Sequence, residues 1–459
     1  MGEGEKFVRG TMQDMTEGSP LKHILKFFFP LLFGMLFQQF YNLVDTAIVG
    51  QFLGKENLAA VGATGSVNFL ILGFCMGVCN GFAIPVAQKF GAKDESGLHR
   101  FVANSIWLSI VFSVIMTVTV SLSCRQILVW MDTPKNIFEG SYSYILVIFL
   151  GIPVTYLYNL LSGFMRALGD SKTPLVFLII SSVLNIALDL LAILVLHWGV
   201  RGAAIATVMA QGVSGILCLI YMKKKMSIFE MPKMEWRING RCIARLCGMG
   251  IPMGLQYSIT AIGSVILQKS VNLLGSTVVA AISSGGKLSM FFACPFDAMG
   301  STMATYAGQN LGAQKLERVD RGIFACSGLA AIYSVIALGV MMVAGNYLAL
   351  LFVNGGETDL IDLIATFLHW NAWFYFFLAL VNIVRFTIQG LGFGKLAIIA
   401  GVCEMVARSV VGFYMVPALG YTAACLAGPL AWVLADMFLI PAYFLVMRHL
   451  RRLMIVKEG

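Results

Sequence analysis

Charge is scarce in this sequence, and so are the motifs of soluble enzymes. Only 12% of the 459 residues are charged, against 58% that are hydrophobic, and the mean hydropathy is +0.83. These values exclude a soluble globular protein. The five histidines show no metal-ligand spacing, and the sequence has no phosphate-binding glycine loop and no nucleophile motif. ATP-driven transport and metal-dependent catalysis therefore have no support, and we expect neither enzyme activity nor a cofactor.

What the sequence has instead is a succession of long apolar segments. Each has about 20 or more residues, which is enough for a helix to cross a hydrocarbon core of about 30 Å. The alternating pattern of barrel strands is missing, so the fold class is an all-α integral membrane protein. We predict twelve transmembrane spans, at residues 24–50, 66–87, 101–123, 140–165, 174–196, 202–222, 243–274, 287–308, 323–345, 360–389, 396–416 and 423–447.

The positive charges are divided unevenly between the two sides of these spans. If the N-terminus is cytoplasmic, 25 of the 32 Lys and Arg residues lie in or beside cytoplasmic loops, and four lie in outer loops. The positive-inside rule therefore predicts that both termini are cytoplasmic. The net charge of +9 reflects this asymmetry and the attraction of basic loops to anionic membrane lipids, so no nucleic-acid partner is expected. The polar N-terminal stretch has no apolar core, so we expect the first span itself to direct insertion.

An internal repeat organises the chain. A shift of about 221 residues aligns FLGKENLAAVGATG (52–65) with LLGSTVVAAISSGG (273–286) and AQKFGAKDESGLHR (87–100) with GQNLGAQKLERVDR (308–321). Both copies have the same topology, so their symmetry axis is expected to follow the membrane normal, as suits alternating access. The predicted regions are a cytoplasmic segment 1–23, an N-lobe of six helices 24–222, a cytoplasmic linker 223–241, a C-lobe of six helices 242–447 and a cytoplasmic tail 448–459.

Four polar residues lie at similar depths in the N-lobe. Asn185 and Asp189 are four positions apart in span 5 and so share one helical face. At about 1.5 Å per residue, Asp45, Asp189 and Thr207 lie roughly 7 to 12 Å below the outer surface, and Asn185 lies about one turn deeper. A carboxylate in the membrane costs about 2.5–3.5 kcal/mol or more unless it is paired, hydrated or neutralised. No basic residue of spans 1, 5 or 6 is near this depth, so the natural partner is a cation.

Two kinds of cation fit this group of residues. Two carboxylates, an amide oxygen and a hydroxyl are a set of oxygen ligands that suits a hard ion such as Na+. Alternatively, the two carboxyl groups hold a proton between them. A third interpretation also stays open, in which these polar groups only hold the helices together.

Four short motifs, in order along this repeated chain, carry a family resemblance. They are QKFGA after span 2, its copy QNLGA after span 8, RALGDSKTP after span 4 and GVRGAAIATVMAQ in span 6. From about residue 20 to 447 the chain resembles the multidrug and toxic compound extrusion (MATE) family. The resemblance implies a secondary antiporter that exports organic, often cationic, compounds at the expense of an inward Na+ or H+ gradient. It also implies an N-lobe cation site at Asp45, Asn185, Asp189 and Thr207, as in DinF-like members.

The C-lobe departs from part of this family. Members that bind Na+ in the second lobe use acidic residues of helices 7 and 10, whereas span 7 and residues 365–386 contain none. Glu404 and Arg408 are four positions apart in span 11 and are interpreted as a local ion pair, with a role in substrate or proton handling as the alternative. Asp297 in span 8 has no basic residue beside it in the sequence and is a candidate for the wall of a substrate cavity.

Adaptable and aromatic side chains are candidates for the rest of that cavity. Tyr41, Met253, Tyr257 and Phe291 are of the types that accommodate flat apolar cations. Most of the 25 methionines and 33 phenylalanines are expected to face lipid or to pack between helices.

The resemblance therefore implies a multidrug efflux antiporter of the bacterial inner membrane, and we expect it to work as a monomer by alternating access on small organic cations. The alternative is a flippase for lipid-linked oligosaccharides of the related superfamily. Such a flippase would need a cationic cavity for pyrophosphate, whereas the charged residues identified in the N-lobe are acidic. A membrane-embedded enzyme would need a convergent nucleophile or metal cluster that the sequence does not show.

Overall fold

The computed structural model describes residues 12–226, 231–350 and 357–458, and the regular structure within these ranges is helical throughout. The prediction of an all-α fold is confirmed. The predicted N-terminal segment 1–23, linker 223–241 and tail 448–459 each lie partly outside the described residues.

The helices are named α1 to α14 in chain order. The first half of the chain forms α1 (Pro20–Gly91), α2 (Glu95–Trp130), α3 (Phe138–Leu150), α4 (Ile152–Ala167), α5 (Lys172–Leu190) and α6 (Gly199–Lys225). The second half forms α7 (Gly240–Asn272), α8 (Ser276–Gly312), α9 (Leu316–Ala349), α10 (Thr358–Trp373), α11 (Tyr375–Gly390), α12 (Gly394–Val410), α13 (Val416–Leu419) and α14 (Tyr421–Glu458).

The 72 residues of α1 make up two membrane spans. A straight helix of that length would extend about 108 Å, several times the thickness of a hydrocarbon core. The helix is interrupted at Gly54, whose backbone (φ 83°, ψ 177°) is not helical. A positive φ is readily adopted only by glycine, which explains the residue at this turn. We call the part before Gly54 α1a and the part after it α1b.

Two further spans are bent pairs of helices. The axes of α3 and α4 differ by 47° and those of α10 and α11 by 51°, and each pair is long and apolar enough to cross a membrane only when taken together. Pro153, at the start of α4, lacks the N–H that would continue the helix from α3. Among the described residues, nine helices are each long and apolar enough to cross a membrane without a partner. One of these nine is α1, which forms two spans, so the nine helices form ten spans and the two bent pairs add two more. The predicted total of twelve spans follows.

The internal repeat extends to the irregularities of the helices. Gly275, between α7 and α8, has φ 99° and is the copy of Gly54. The bend between α3 and α4 corresponds to that between α10 and α11. Both α5 and α12 continue into a single π-helical turn, at Leu191–Val195 and Val411–Met415. The two halves therefore share their kinks as well as their order of helices.

Several helices extend further than their apolar segments. The helix α8 begins at Ser276, whereas span 8 was predicted to begin at residue 287, and α14 continues to Glu458, past the predicted end at 447. Small and polar residues such as Ser283, Ser284 and Lys287 lie in the first turns of α8. Hydropathy detects only the apolar part of a helix, so it could not predict the polar start of α8 or the polar end of α14.

The chain divides into two compact units at Leu255 in α7. The first unit comprises residues 29–255 with 12–15, and the second comprises 256–458 with 16–28. The predicted C-lobe begins earlier, at residue 242, so the start of α7 belongs to the first unit.

Glycines explain why the start of α7 packs with the first unit. A Cβ atom on Gly81 would lie 2.5 Å from Cα of Gly250, and one on Gly77 would lie 2.6 Å from the carbonyl oxygen of Met253. Such backbone contact between helices needs small residues spaced four apart, as in Gly77 and Gly81 of α1b and Gly250 and Gly254 of α7.

Each unit has a central helix. In the first unit α6 packs against α3, α4 and α5, and in the second α11 packs against α8, α9, α12 and α14. These two helices carry buried polar residues into the interior of their units.

Candidate cation site and a second ionic cluster

Two hydroxyl groups fix the register of α5 against α6. Ser181 Oγ donates a hydrogen bond to the carbonyl oxygen of Ala210 at 2.8 Å, and Ser214 Oγ donates to the carbonyl oxygen of Phe177 at 2.9 Å. Hydrogen bonds of this kind between membrane helices contribute on the order of 1 kcal/mol each. The register aligns the next turn of α5, which carries the predicted polar face, with Thr207 of α6.

The four residues of the predicted cation site lie together in the first unit. Asn185 and Asp189 are 1% and 0% exposed on one face of α5, as the spacing predicts. Nδ2 of Asn185 donates to Oγ1 of Thr207 at 3.4 Å, and the carboxyl group of Asp189 is hydrogen-bonded to that of Asp45 from α1a. The consecutive helices α5 and α6 and the distant α1a thus supply one polar cluster.

Two tyrosines complete this cluster. Tyr41, one turn before Asp45, makes a side-chain hydrogen bond with Thr207, so it lies at the cation site. Tyr144 of α3 is 8% exposed and interacts electrostatically with Tyr41, Asp45 and Asp189. Tyr144 is not among the predicted site residues, although it lies four residues inside the predicted start of its span and so at the depth of the other members.

A small cavity opens beside Asn185 and Thr207. Its volume is about 40 Å³, which is room for a few water molecules. Nine of its eleven lining residues are polar, and none is charged. They are Gln38, Tyr41, Tyr158, Ser181, Ser182, Asn185, Thr207, Gln211 and Ser214, with Leu178 and Ala210 as the apolar remainder. Hydroxyl and amide groups of this kind can hydrate a cation that approaches the carboxyl pair.

The balance of charge at this site is negative. Among the described residues, the groups that act electrostatically on Tyr41 and Tyr144 all belong to the cluster itself, and they include both carboxyl groups. Two carboxyl groups in contact can either share a proton or ligate one cation together, and each process leaves the site less negative. The arrangement can therefore bind and release a single positive charge.

The second unit contains a separate chain of ionic hydrogen bonds. Oδ1 of Asp297 accepts from Nδ2 of Asn382 at 3.1 Å, and Oδ1 of Asn382 accepts from Nη2 of Arg385 at 2.8 Å. Nη1 of Arg385 donates to Oε1 of Glu404 at 2.9 Å, and Nη2 of Arg408 lies 3.5 Å from Oε2 of the same carboxylate. We call these five residues the ionic chain. It joins α8, α11 and α12.

The ionic chain corrects the placement of Arg385 and adds a closer partner to the predicted pair of Glu404 with Arg408. Arg385 was counted among the basic residues beside a cytoplasmic loop, but it lies within α11, and its side chain is only 11% exposed. The ion pair of Glu404 with Arg408 is present, but the shorter contact of Glu404 is with Arg385, on another helix. The pair is thus part of an interhelical network.

Asp297 differs from the rest of the ionic chain in its exposure. It is exposed on α8, whereas Glu404 is 4% exposed. A carboxylate in the middle of an apolar helix is stable only beside water or a cation.

The other predicted cavity residues are distributed as follows. Met253 is 2% exposed and packs with Ile84 and Met249 in the first unit. Tyr257 of α7 and Phe291 of α8, in the second unit, are partly exposed. The described structure does not gather these residues with Tyr41 around the small cavity of the first unit.

Comparison with known proteins gives one consistent family. The MatE family model matches the chain twice, at residues 30–191 and 252–414. The probable multidrug resistance protein YpnP of Bacillus subtilis is 30% identical over 380 residues, covering 82% of this chain and 83% of that protein. DNA damage-inducible protein F of Escherichia coli is 26% identical over 340 residues, covering 71% of each.

Solved structures share the fold. A crystal structure of a MATE protein in complex with MaL6 has a TM-score of 0.88 and 21% identity, covering 96% of this chain and 99% of that chain. The outward-facing structure of a multidrug resistance MATE transporter of the MOP superfamily has the same TM-score and identity, covering 97% and 100%. At this identity the likeness shows the twelve-helix fold.

Proposed function

The chain belongs to the MatE family of multidrug efflux transporters, and from this premise we propose that it exports organic cations in exchange for Na+ or H+ bound at Asp45 and Asp189. It is a multi-pass membrane transporter rather than an enzyme, and MATE transporters need no cofactor. The coupling ion, the exported compounds and the cellular membrane are parts of the proposal.

The contact between the carboxyl groups of Asp45 and Asp189 is the observation that carries the proposal. Asp189 is fully buried, and its hydrogen-bond partner comes from a different span. A proton or an alkali cation that binds between them links α1a to α5, and its release leaves two negative charges that repel each other. Occupancy of the site can therefore bias the arrangement of these helices, which is what coupling requires.

The neutral members of the site supply further oxygen ligands. Asn185 keeps its Oδ1 as an acceptor while Nδ2 donates to Thr207, and Tyr41 adds a hydroxyl. For Na+ these groups would complete a coordination shell of hard oxygens. For H+ the Tyr41 hydroxyl would donate to the remaining carboxylate oxygen, and Oδ1 of Asn185 would accept from the protonated carboxyl group.

A cationic substrate is favoured by the exposed carboxylate of Asp297. A hydrophobic cation that reaches it would gain a charge partner without releasing the buried members of the ionic chain. We further propose a monomer of the bacterial inner membrane with both termini in the cytoplasm, consistent with the distribution of Lys and Arg along the sequence.

Transport by the purified protein in liposomes tests the proposal. Uptake of a fluorescent organic cation such as ethidium is measured under a Na+ gradient alone and under a pH gradient alone. We expect transport under one of the two gradients, and we expect Asp45→Asn and Asp189→Asn each to reduce it by at least about tenfold, because the amide cannot supply the charge.

Asp132→Asn is the matched control. Asp132 is exposed in the loop after α2 and has φ 52°, a conformation that asparagine also tolerates, so this variant should transport like the wild type. Well-folded Asp45→Asn and Asp189→Asn proteins with wild-type gradient dependence would refute the coupling site. Absence of drug transport in the wild type, with translocation of a lipid-linked oligosaccharide, would favour the flippase.

A further inference from the structure

A buried carboxyl group in α14 belongs to neither of the sites described above. Asp436 is 4% exposed, and neither of its carboxyl oxygens has a hydrogen-bond partner among the described residues. A buried ionised carboxylate without hydrogen bonds is unstable by several kcal/mol, whereas the neutral acid avoids most of that cost. The position therefore requires an explanation.

The charged neighbours of Asp436 are members of the ionic chain. Asp320 of α9 contacts α14 through Tyr443. The helices packed most extensively against α14 are α10, α11, α12 and the short α13, together with the π turn at Val411–Met415. They carry Asp359, Asp362, His369, Arg385, Lys395, Glu404 and Arg408. Of these, Arg385 and Glu404 act electrostatically on Asp436, the first favouring its charge and the second opposing it. The ring of His369 is hydrogen-bonded to the carbonyl oxygen of Met341, on α9.

The guanidinium group of Arg385 is already engaged. Its Nη1 donates to Glu404 and its Nη2 to Asn382. The ionic chain carries no net charge without Asp436, because its two arginines equal in number its two carboxylates, Asp297 and Glu404. An ionised Asp436 would add one uncompensated negative charge, and a metal cation beside it would be repelled by the guanidinium. A proton is the ligand that keeps the group neutral.

We infer that Asp436 is a second proton-binding site, separate from Asp45 and Asp189, and that the pairing of Arg385 with Glu404 decides whether the proton is held. While Arg385 is bound to Glu404, Asp436 is a carboxylic acid. When Glu404 takes up a proton from water and becomes neutral, Arg385 is available to Asp436, which then releases its own proton to water. One O–H bond forms at Glu404 and one breaks at Asp436, so the ionic chain and Asp436 together keep the same net charge.

The ionic chain has one exposed end, at Asp297. Asp297 is connected through Asn382 to Arg385 and is exposed on α8. A charged ligand at Asp297 therefore acts electrostatically on the groups that govern Asp436. The second unit thus contains a proton site that can respond to a bound cation.

Infrared spectroscopy of the purified protein tests the inference without any transport assay. A protonated carboxylic acid has a carbonyl band separate from those of carboxylates and amides, and the band shifts in D2O. The starting protein is the Asp45→Asn, Asp189→Asn double variant, from which the carboxyl groups of the first unit have been removed. We expect it to retain an acid band at neutral pH, and we expect Asp436→Asn to remove that band.

Glu404→Gln provides the decisive second variant. It leaves Asp436 in place but frees Arg385, so the acid band should be lost from this variant as well. Asp436→Glu should restore a band at a shifted frequency, and Asp132→Asn should change nothing. If the band persists in Asp436→Asn or in Glu404→Gln, the inference is overturned, and Glu404→Gln decides the matter even if Asp436→Asn does not fold. Because these spectra do not depend on coupling at Asp45 and Asp189, failure of either idea leaves the other intact.

Discussion

Arg385 of α11 and Glu404 of α12 form an interhelical salt bridge of 2.9 Å, in which the side chains are only 11% and 5% exposed. Arg408 approaches the same carboxylate at 3.5 Å from within α12. The main partner of Glu404 is therefore Arg385, on another helix, although Arg408 is only four residues away in the sequence.

We expect the two arginines to contribute unequally to stability. Arg385→Gln breaks a buried pair and also the hydrogen bond to Asn382, so it should lower the free energy of unfolding by about 3 kcal/mol. Arg408→Gln leaves the shorter salt bridge intact and should cost less. Thermal unfolding of both variants in the same detergent measures the difference. Equal losses, or a larger loss for Arg408→Gln, would contradict the assignment of the main contact.

The neutral members of the cation site should matter less than its carboxyl groups. Asn185→Ala and Thr207→Ala each remove one uncharged oxygen ligand, so we expect a loss of about 1 kcal/mol in apparent affinity for the coupling ion, or about fivefold. The measurement is the dependence of transport on Na+ or H+ concentration. Thr46→Ala is the control, because within the described part of the chain the Thr46 hydroxyl donates to the carbonyl oxygen of Asn42, on its own helix. An effect of Thr207→Ala as large as that of Asp189→Asn would argue against carboxyl-based coupling.

The crossing of α1b with α7 should not accept a methyl group. In Gly81→Ala the new Cβ would lie 2.5 Å from Cα of Gly250, and overpacking of this kind costs about 1–3 kcal/mol. Gly65→Ala, on the same helix but with open space around the new atom, should be neutral or slightly stabilising. The melting temperatures of the two variants in detergent provide the comparison. If Gly81→Ala is as stable as Gly65→Ala, the crossing is looser than described.

Asp94 should stabilise the start of α2 in a pH-dependent way. Its Oδ1 accepts from the N–H of Gly97 at 2.8 Å, and the hydrogen bond from Lys89 holds its pKa below the ordinary carboxyl value. Because the pKa is lower in the folded state, this stabilisation is present above the ordinary carboxyl range. It is lost as the pH falls through the lowered pKa.

Two substitutions separate the contributions of Asp94. Asp94→Ala removes the helix cap and should cost about 1 kcal/mol at neutral pH, whereas Asp94→Asn keeps a capping oxygen and should cost less. The advantage of the wild type over Asp94→Asn should disappear in acid. Unfolding at neutral and acidic pH decides this, and an advantage that persists in acid would be evidence against the ion pair with Lys89.

The proposed orientation can be tested with two exposed lysines. Lys233 lies in the short 3-10 helix Lys233–Trp236, which packs against α2, and Lys135 lies between α2 and α3. In a background without the native cysteines, Lys135→Cys should react with an impermeant thiol reagent added to intact cells. Lys233→Cys should react only after the membrane is opened. The reverse pattern would invert the topology.

Sequence patterns predicted the features that depend on local spacing and on depth. The twelve spans, the all-α fold and the family resemblance are confirmed, and the shared face of Asn185 and Asp189 follows from the helical period. Asp436 also lay inside a predicted span. A lone carboxylate in a membrane helix is itself a signal of function, so this residue could have been found.

Other features depend on tertiary packing. Arg385 follows an apolar segment and precedes a loop, so the sequence predicts an exposed side chain. The structure shows instead that this side chain is buried in a salt bridge with Glu404. The unit boundary within α7 depends on the close approach of Gly250 to Gly81, which no count of apolar residues can reveal. The glycines spaced four apart in both helices were nevertheless visible as a motif for helix contact.

The paired irregularities of the two halves carry a historical consequence. Equivalent positions of the two halves carry a glycine with positive φ, a bent span and a π turn. A six-helix ancestor therefore already had this geometry before its gene was duplicated and fused. The polar chemistry diverged afterwards: with a drift of two residues in the repeat, Asn185 of one half stands where the other has Arg408, and Ser181 stands where the other has Glu404. Two copies of one scaffold thus came to hold a carboxyl pair in one half and a network of ion pairs in the other.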